Sequence, residues 1–251
     1  MELLQDPAFW LAVGQIILID ILLGGDNAIV IALACRGLPE QQRRRGILLG
    51  TMGAILIRVV LIGFALTLLG VPYLKLVGAL LLVWIGIKLL TDDNEDHEVD
   101  ASEKLWGAVK TIVIADLVMS VDNVVGVAAA AEAGGGDHKL ALVIFGLLVS
   151  IPIVVWGSTF VLRLMDRFPW VVTLGGMLMG WIAGTMAVTD PALLSYVPTM
   201  LPSDAMPGAA PKVQTWFYQT AGVLGALLVV LVGQVKKRLG AAKDLERELP
   251  P

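Results

Sequence analysis

The chain has 251 residues, of which 57% are apolar and 16% charged, with a mean hydropathy of +0.82. Soluble domains average roughly 45–50% apolar and about a quarter charged. The composition therefore excludes a soluble globular enzyme and a disordered chain, and a single Cys excludes a disulfide scaffold.

Apolar runs fall at 9–34, 46–70, 72–90, 105–131, 140–165, 170–188 and 217–235. A membrane-spanning helix needs about 20 such residues. The runs do not alternate polar with apolar as barrel strands would. The fold class they predict is all-α, a polytopic membrane protein of seven transmembrane helices forming a single transmembrane domain over 1–251. The first run follows MELLQD, which has no positively charged region, so it reads as a true span and not a signal peptide. The segment 191–211 carries five prolines and reads as an outer loop.

Basic residues set the orientation. With the N-terminus outside, the inner segments hold Arg36, Arg43, Arg44, Arg45, Lys88, Lys104, Lys110, Arg163, Arg167, Lys236, Lys237, Arg238, Lys243 and Arg247. The outer segments hold only Lys75, Lys139 and Lys212, and Arg58 alone lies within a span. The bias predicts an outside N-terminus, a cytoplasmic C-terminus and residence in the bacterial inner (plasma) membrane. Trp10, Trp106, Trp170 and Trp216 fall near span ends, where an interfacial belt places them.

The first and fourth runs carry matched motifs. A shift of 96 superimposes Asp20 on Asp116, Asp26 on Asp122 and Asn27 on Asn123, and takes Gly50 to Gly146. A shift of 97 takes Pro72 to Pro169, Gly78 to Gly175 and Trp84 to Trp181. Three spans (about 9–91) therefore repeat as three spans (about 105–189), with a seventh helix at about 214–236 outside the symmetry. An odd number of spans per unit forces opposite insertion, giving an inverted-topology repeat of the kind transporters build around a midplane site.

Each intramembrane carboxylate costs at least ~2.5–3.5 kcal/mol to insert, and such residues are functional by default. Asp20 and Asn27 share one helical face, as do Asp116, Ser120 and Asn123. Gly24-Gly25, just before Asp26, predicts a kink or unwound turn in the first span. The donors on offer are oxygens, since His97 and His138 fall in loops and Cys35 at a span end. An all-oxygen set suits Mg, Ca or Mn. Met119, three residues after Asp116, adds a thioether that would favour Mn or Fe if it ligates and is core packing otherwise. Arg58 has Val154 at its repeat position; it either snorkels or pairs with a site Asp, and pairing is the preferred reading.

These motifs, Asp20…Gly24-Gly25-Asp26-Asn27-Ala28 and Asp116…Ser120-Val121-Asp122-Asn123, resemble the TerC family of integral membrane proteins within the lysine-exporter-like group. The resemblance implies export of Mn²⁺ from the bacterial cytoplasm, and a tellurium-resistance role is the alternative that the family name carries. It also implies Asp20, Asp26, Asn27, Asp116, Asp122 and Asn123 as metal ligands, with Ser120 less secure because Gly24 is its counterpart. No prosthetic group is expected. The partners are the divalent ion and the lipid bilayer, with no nucleic acid, in a monomer or homodimer. Proton exchange is chemically natural, because metal displaces protons from carboxylates.

Three competing readings stand beside this one. Ca²⁺ or an amino acid could be the cargo of the same fold. An intramembrane aspartyl protease could use Gly24-Gly25-Asp26, although such enzymes need no paired Asn; the chain is read as no enzyme. The acidic stretch Asp92…Glu103 matches several Ca²⁺-loop positions but has His97 where that loop requires Gly, so a solvated loop is the plainer reading. Small-residue patterns at Gly46/Gly50 and Gly176/Gly180/Gly184, together with Trp84 and Trp181, are assigned to helix packing within the chain.

Overall fold

The computed structural model describes residues 7–64, 71–91, 101–135, 139–200 and 212–248, with side chains described outside 7–9, 12, 15–16, 19–25, 101, 122–143, 200 and 240–248. The chain is helical: α1 (Pro7–Arg36), α2 (Glu40–Ile62), α3 (Leu74–Thr91), α4 (Ala101–Gly135), α5 (Lys139–Arg167), α6 (Trp170–Val188) and α7 (Thr215–Glu248). Five segments are long and apolar enough to cross a membrane over their described residues: Glu40–Ile62, Leu74–Thr91, Ile144–Arg167, Trp170–Val188 and Thr215–Leu239. In such helices the backbone must satisfy itself, because lipid offers no hydrogen bonds. Hydroxyls follow the same logic. Ser150, Ser158 and Thr185 donate back to the carbonyls of Leu147, Val154 and Trp181 at 2.8, 2.8 and 3.1 Å.

Expectations change at the glycine pair, in the proline-rich loop and at Trp84. Gly24 and Gly25 do not break α1, which runs as an unbroken helix through both. Each glycine costs ~1 kcal/mol of helix propensity relative to Ala, whereas opening backbone bonds in an apolar medium costs several kcal/mol per group. The proline-rich loop also has a small piece of order. Its flanks form a two-residue antiparallel ladder, β1 (Thr199–Met200) with β2 (Lys212–Val213), Thr199 facing Val213 and Met200 facing Lys212.

The helices cluster into two compact units. The first holds α1, α2, α4 and α5. Here α1 and α5 run parallel: Trp10 meets Phe145 edge-on at 6.0 Å near their starts, and Gly157 faces Ala28 further along. Helices α2 and α4 are likewise parallel, with Gly46 against Leu105, then Gly50 against Ile112, then Gly53 against Val113. Arg43 at the start of α2 binds Asp166 at the end of α5 at 2.7 Å, so these two helices are antiparallel. Arg43 also donates to the Leu38 and Arg36 carbonyls at 3.1 and 3.0 Å, closing the α1–α2 corner.

The second unit holds α3, α6 and α7. The small residues of α6 pack within the chain: a Cβ at Gly180 or Gly184 would strike the backbone of Gly225 or Ala221 on α7. Leu90 of α3 fills the notches at Gly176 and Gly233, and Trp181 lies over Gly222. Trp84, expected inside the packing, is instead 58% exposed, with the Lys88 ammonium 5.8 Å from its ring centroid. One helical turn brings the two together on an outward face, and a cation–π contact suits that place.

Asp190, fully buried just after α6, caps α3. It accepts from the Tyr73 N–H at 2.9 Å, the Leu76 N–H at 3.2 Å and the Ala192 N–H at 2.8 Å. The first contact holds Tyr73 in the left-handed region at φ 65°.

Candidate cation site

Asp116, Met119 and Ser120 lie on one face of α4 by their spacing of three and four, and all three are buried. Helix α2 reaches them because small residues let it approach closely. A Cβ at Gly50 would sit 2.5 Å from Ile112 Cδ1, and one at Gly53 would sit 2.8 Å from Val113 Cγ2. Further along this interface comes Arg58, 4% exposed. Its Nη2 donates to Asp116 Oδ1 at 2.5 Å and its Nε donates to Ser120 Oγ at 3.1 Å. The Ser120 hydroxyl donates in turn to Asp116 Oδ2 at 3.0 Å. Both carboxylate oxygens of Asp116 are thus engaged by a closed ring of charge-assisted bonds, roughly twice as strong as neutral ones.

Helix α1 contributes Asp26 and Asn27. The Asn27 N–H donates to Asp26 Oδ1 at 2.9 Å, and Asp26 lies within electrostatic range of both Arg58 and Asp116. Asn27 is 6% exposed, yet its side-chain oxygen accepts from no donor among the described residues. An unsatisfied buried acceptor costs about 1–3 kcal/mol. Thr51 Oγ1, on α2 seven residues before Arg58, is buried and equally unpartnered among the described residues.

The sequence-predicted residues therefore divide. Asp26, Asn27, Asp116 and Ser120 all belong to the four-helix unit, with Asp26 and Asp116 in mutual electrostatic range. Met119 is buried on the same face of α4 as Asp116. The side chains of Asp20, Asp122 and Asn123 lie outside the described residues, as do His97, His138 and residues 92–100 of the acidic loop. Among the described residues no three His, Cys, Asp or Glu side chains converge. The described donor set is two carboxylates, one open amide oxygen and one hydroxyl, the oxygen chemistry that hard divalent cations take.

Residues 5–240 match the family described as integral membrane protein TerC family. The chain belongs to the TerC family. Among its relatives, it is 39% identical over 190 residues to the uncharacterized membrane protein YjbE of Bacillus subtilis (strain 168), covering 73% of this chain and 85% of that one. It is 30% identical over 196 residues to the uncharacterized membrane protein YceF of the same organism, covering 74% of each. To the UPF0053 inner membrane protein YgdQ of Escherichia coli (strain K12) it is 25% identical over 184 residues, covering 66% of this chain and 75% of that one. No solved structure matches the chain. The TerC match takes in both Asp–Asn motifs and helices α1 to α6.

Two residues of this TerC chain went unremarked in the sequence. Thr51 looked like any small residue of a packing stripe. Asp190 stood at a span end, where a carboxylate is unremarkable; the Pro191 that follows it was the one local signal of a turn. Arg58 was visible as the lone cation inside a span, and the structure gives it the Asp partner that was preferred for it.

Proposed function

We propose that this TerC-family protein is a multi-pass transporter that exports a divalent metal cation, with Mn²⁺ the first choice, from the bacterial cytoplasm across the inner membrane. The observation that carries this is the gathering of motif residues from α1 and α4 around buried oxygen atoms, with the Asn27 amide oxygen left open. Oxygen donors favour Mg, Ca and Mn alike, and the choice of Mn²⁺ among them rests on the family resemblance. Asp20, Asp122 and Asn123 complete the ligand set in this reading, and Met119 is its soft edge.

Helix directions support seven passes in two inverted repeats. Within the four-helix unit, α1 parallels α5 and α2 parallels α4. In the three-helix unit α3 parallels α7, and α6 opposes both. Alternating passes would give these directions. Exchanging the repeats (α1 with α4, α2 with α5) turns the α1–α5 pair into the α4–α2 pair, the relation a two-fold axis in the membrane plane imposes. Basic-residue bias favours the N-terminus outside and the C-terminus in the cytoplasm, and the name of YgdQ as an inner membrane protein favours the same membrane.

The protease reading loses ground, because an aspartyl dyad shares a proton between two carboxylates, whereas Asp116 is engaged by a guanidinium. The cargo is tested with inverted membrane vesicles, comparing uptake of Mn²⁺, Ca²⁺, Mg²⁺ and lysine by the wild type, Asp116→Asn and Asp26→Asn. Saturable Mn²⁺ uptake reduced at least about tenfold by either substitution, a loss of ~1.4 kcal/mol, supports the proposal. Lysine flux without metal flux, or wild-type metal flux through Asp116→Asn, refutes it.

A further inference from the structure

The ion pair at the centre of the site has a consequence for the transport cycle. Asp116 is offered to a cargo cation, yet its two oxygens are already held by Arg58 Nη2 at 2.5 Å and Ser120 Oγ at 3.0 Å. A metal ion and a guanidinium cannot both occupy Asp116 Oδ1. Arg58 carries its guanidinium on three methylenes from the α2 backbone, a longer stem with more rotatable bonds than the single methylene of Asp116. We propose that Arg58 is a resident substitute for the cargo: it pairs with Asp116 while the site is empty and yields that carboxylate to the metal when the site fills. The inference rests on the cation-site reading above and adds a competitor to it.

Two further observations favour this over a purely structural ion pair. The first is the repeat. Under the 96-residue shift, Arg58 falls on Val154 in α5, whereas the aspartate of the motif is present in both halves. Helices α1 and α5 pack in parallel, as α2 and α4 do, and the sequence shift puts Val154 at the arginine's position. Packing of a helix pair of this kind therefore does not require a cation at that position. The second is the buried Asn27 side-chain oxygen, which accepts from no donor among the described residues and so is an acceptor open to an arriving cation.

The physical need is plain. A transporter must return its emptied site through the membrane, and an uncompensated carboxylate there is costly. An internal cation neutralises Asp116 for that step, and a bound metal neutralises it for the other. The same competition lowers the apparent affinity for metal, which helps release on the far side.

The test uses full-length protein, as purified for binding and reconstituted in liposomes for flux, with Mn²⁺ as the probe. Arg58→Gln is expected to bind Mn²⁺ at least about tenfold more tightly than wild type, a difference of ~1.4 kcal/mol. It is expected to keep exchange of internal for external Mn²⁺ and to lose net efflux, because only the loaded form crosses. Arg58→Lys is expected to retain both fluxes. Weaker or unchanged binding in Arg58→Gln, or parallel loss of exchange and net efflux, overturns the proposal and leaves the cation site standing. Absence of Mn²⁺ binding by the wild type overturns both. Should Arg58→Gln not fold, the wild type answers by infrared difference spectroscopy. Addition of Mn²⁺ should shift the arginine guanidinium bands, with the shift absent from Arg58→Lys, and binding without any such shift overturns the substitution of one cation for the other.

Discussion

Removing Arg58 takes the guanidinium from the buried Asp116 carboxylate, and removing Asp116 takes the carboxylate from the buried guanidinium. Breaking a buried pair on one side costs about 3–5 kcal/mol, much more than the pair's own net contribution. Arg58→Gln and Asp116→Asn should each lower the unfolding midpoint in detergent, and the double variant should be less destabilised than the sum, with a coupling of ~0.5–3 kcal/mol. Strict additivity would mean the two side chains do not depend on one another. Ser120→Ala deletes a donor to Asp116 and an acceptor for Arg58, and bonds to charged groups are worth ~1.5–3 kcal/mol each. Its destabilisation should therefore exceed that of Ser158→Ala, whose hydroxyl, among the described residues, bonds its own helix. At this scale the sequence was informative wherever a side chain's cost was out of place, which is why Asp26, Asp116 and Arg58 were visible in apolar runs. It could not say which carboxylate Arg58 would meet, because that depends on how closely Gly50 and Gly53 let α2 approach α4.

Close approach also decides how the helices of the second unit fit together. Gly180 faces the Gly225 carbonyl so tightly that a methyl group has no room, whereas Gly107 on α4 has open space. Gly180→Ala should cost at least ~1–3 kcal/mol through overpacking, and Gly107→Ala should gain ~0.5–1 kcal/mol through helix propensity. Paired thermal melts check the opposite signs. The Asp190 cap makes a pH prediction. Burial raises its carboxyl, but the N–H groups of Tyr73, Ala192, Leu76 and Lys75 together outweigh burial and hold it below the ordinary carboxylate value. Its contribution is therefore complete above the unfolded value of about 3.9 and is lost as pH falls through the lower folded value. Protection from hydrogen exchange at the Tyr73 and Leu76 amides, relative to the intrinsic rate at each pH, should fall on acidification below about pH 4. Asp190→Asn should remove that acid dependence, at a cost of ~0.5–2 kcal/mol typical of a lost cap. Hydrophobic runs marked the helices well, since length and composition are all a span requires. They mis-stated α1, where lipid's refusal of open backbone groups outweighed two glycines. They also missed the ladder that joins the flanks of the proline-rich loop, because two residue pairs at residues 199–200 and 212–213 leave no periodic signature.

Taken whole, the described helices fall into two compact units: α1, α2, α4 and α5 form one, while α3, α6 and α7 form the other. Helices far apart in the sequence, α1 with α5 and α2 with α4, are thus neighbours within a unit. The sequence did not reveal this sorting, which depends on long-range packing. The buried oxygen groups of Asn27, Asp116 and Ser120 fall inside the four-helix unit. A cation that binds only the folded form should stabilise it by about 2.7 kcal/mol at a hundredfold excess over its dissociation constant, so Mn²⁺ should raise the melting temperature of the wild type and leave Asp116→Asn unmoved. Crystals grown with Mn²⁺ and measured at the manganese absorption edge test the central claim most directly. The account predicts anomalous density in coordination range of the Asn27 side-chain oxygen and the Asp116 carboxylate, with Arg58 turned away. Manganese density elsewhere in the protein, with Arg58 still seated on Asp116, would contradict it.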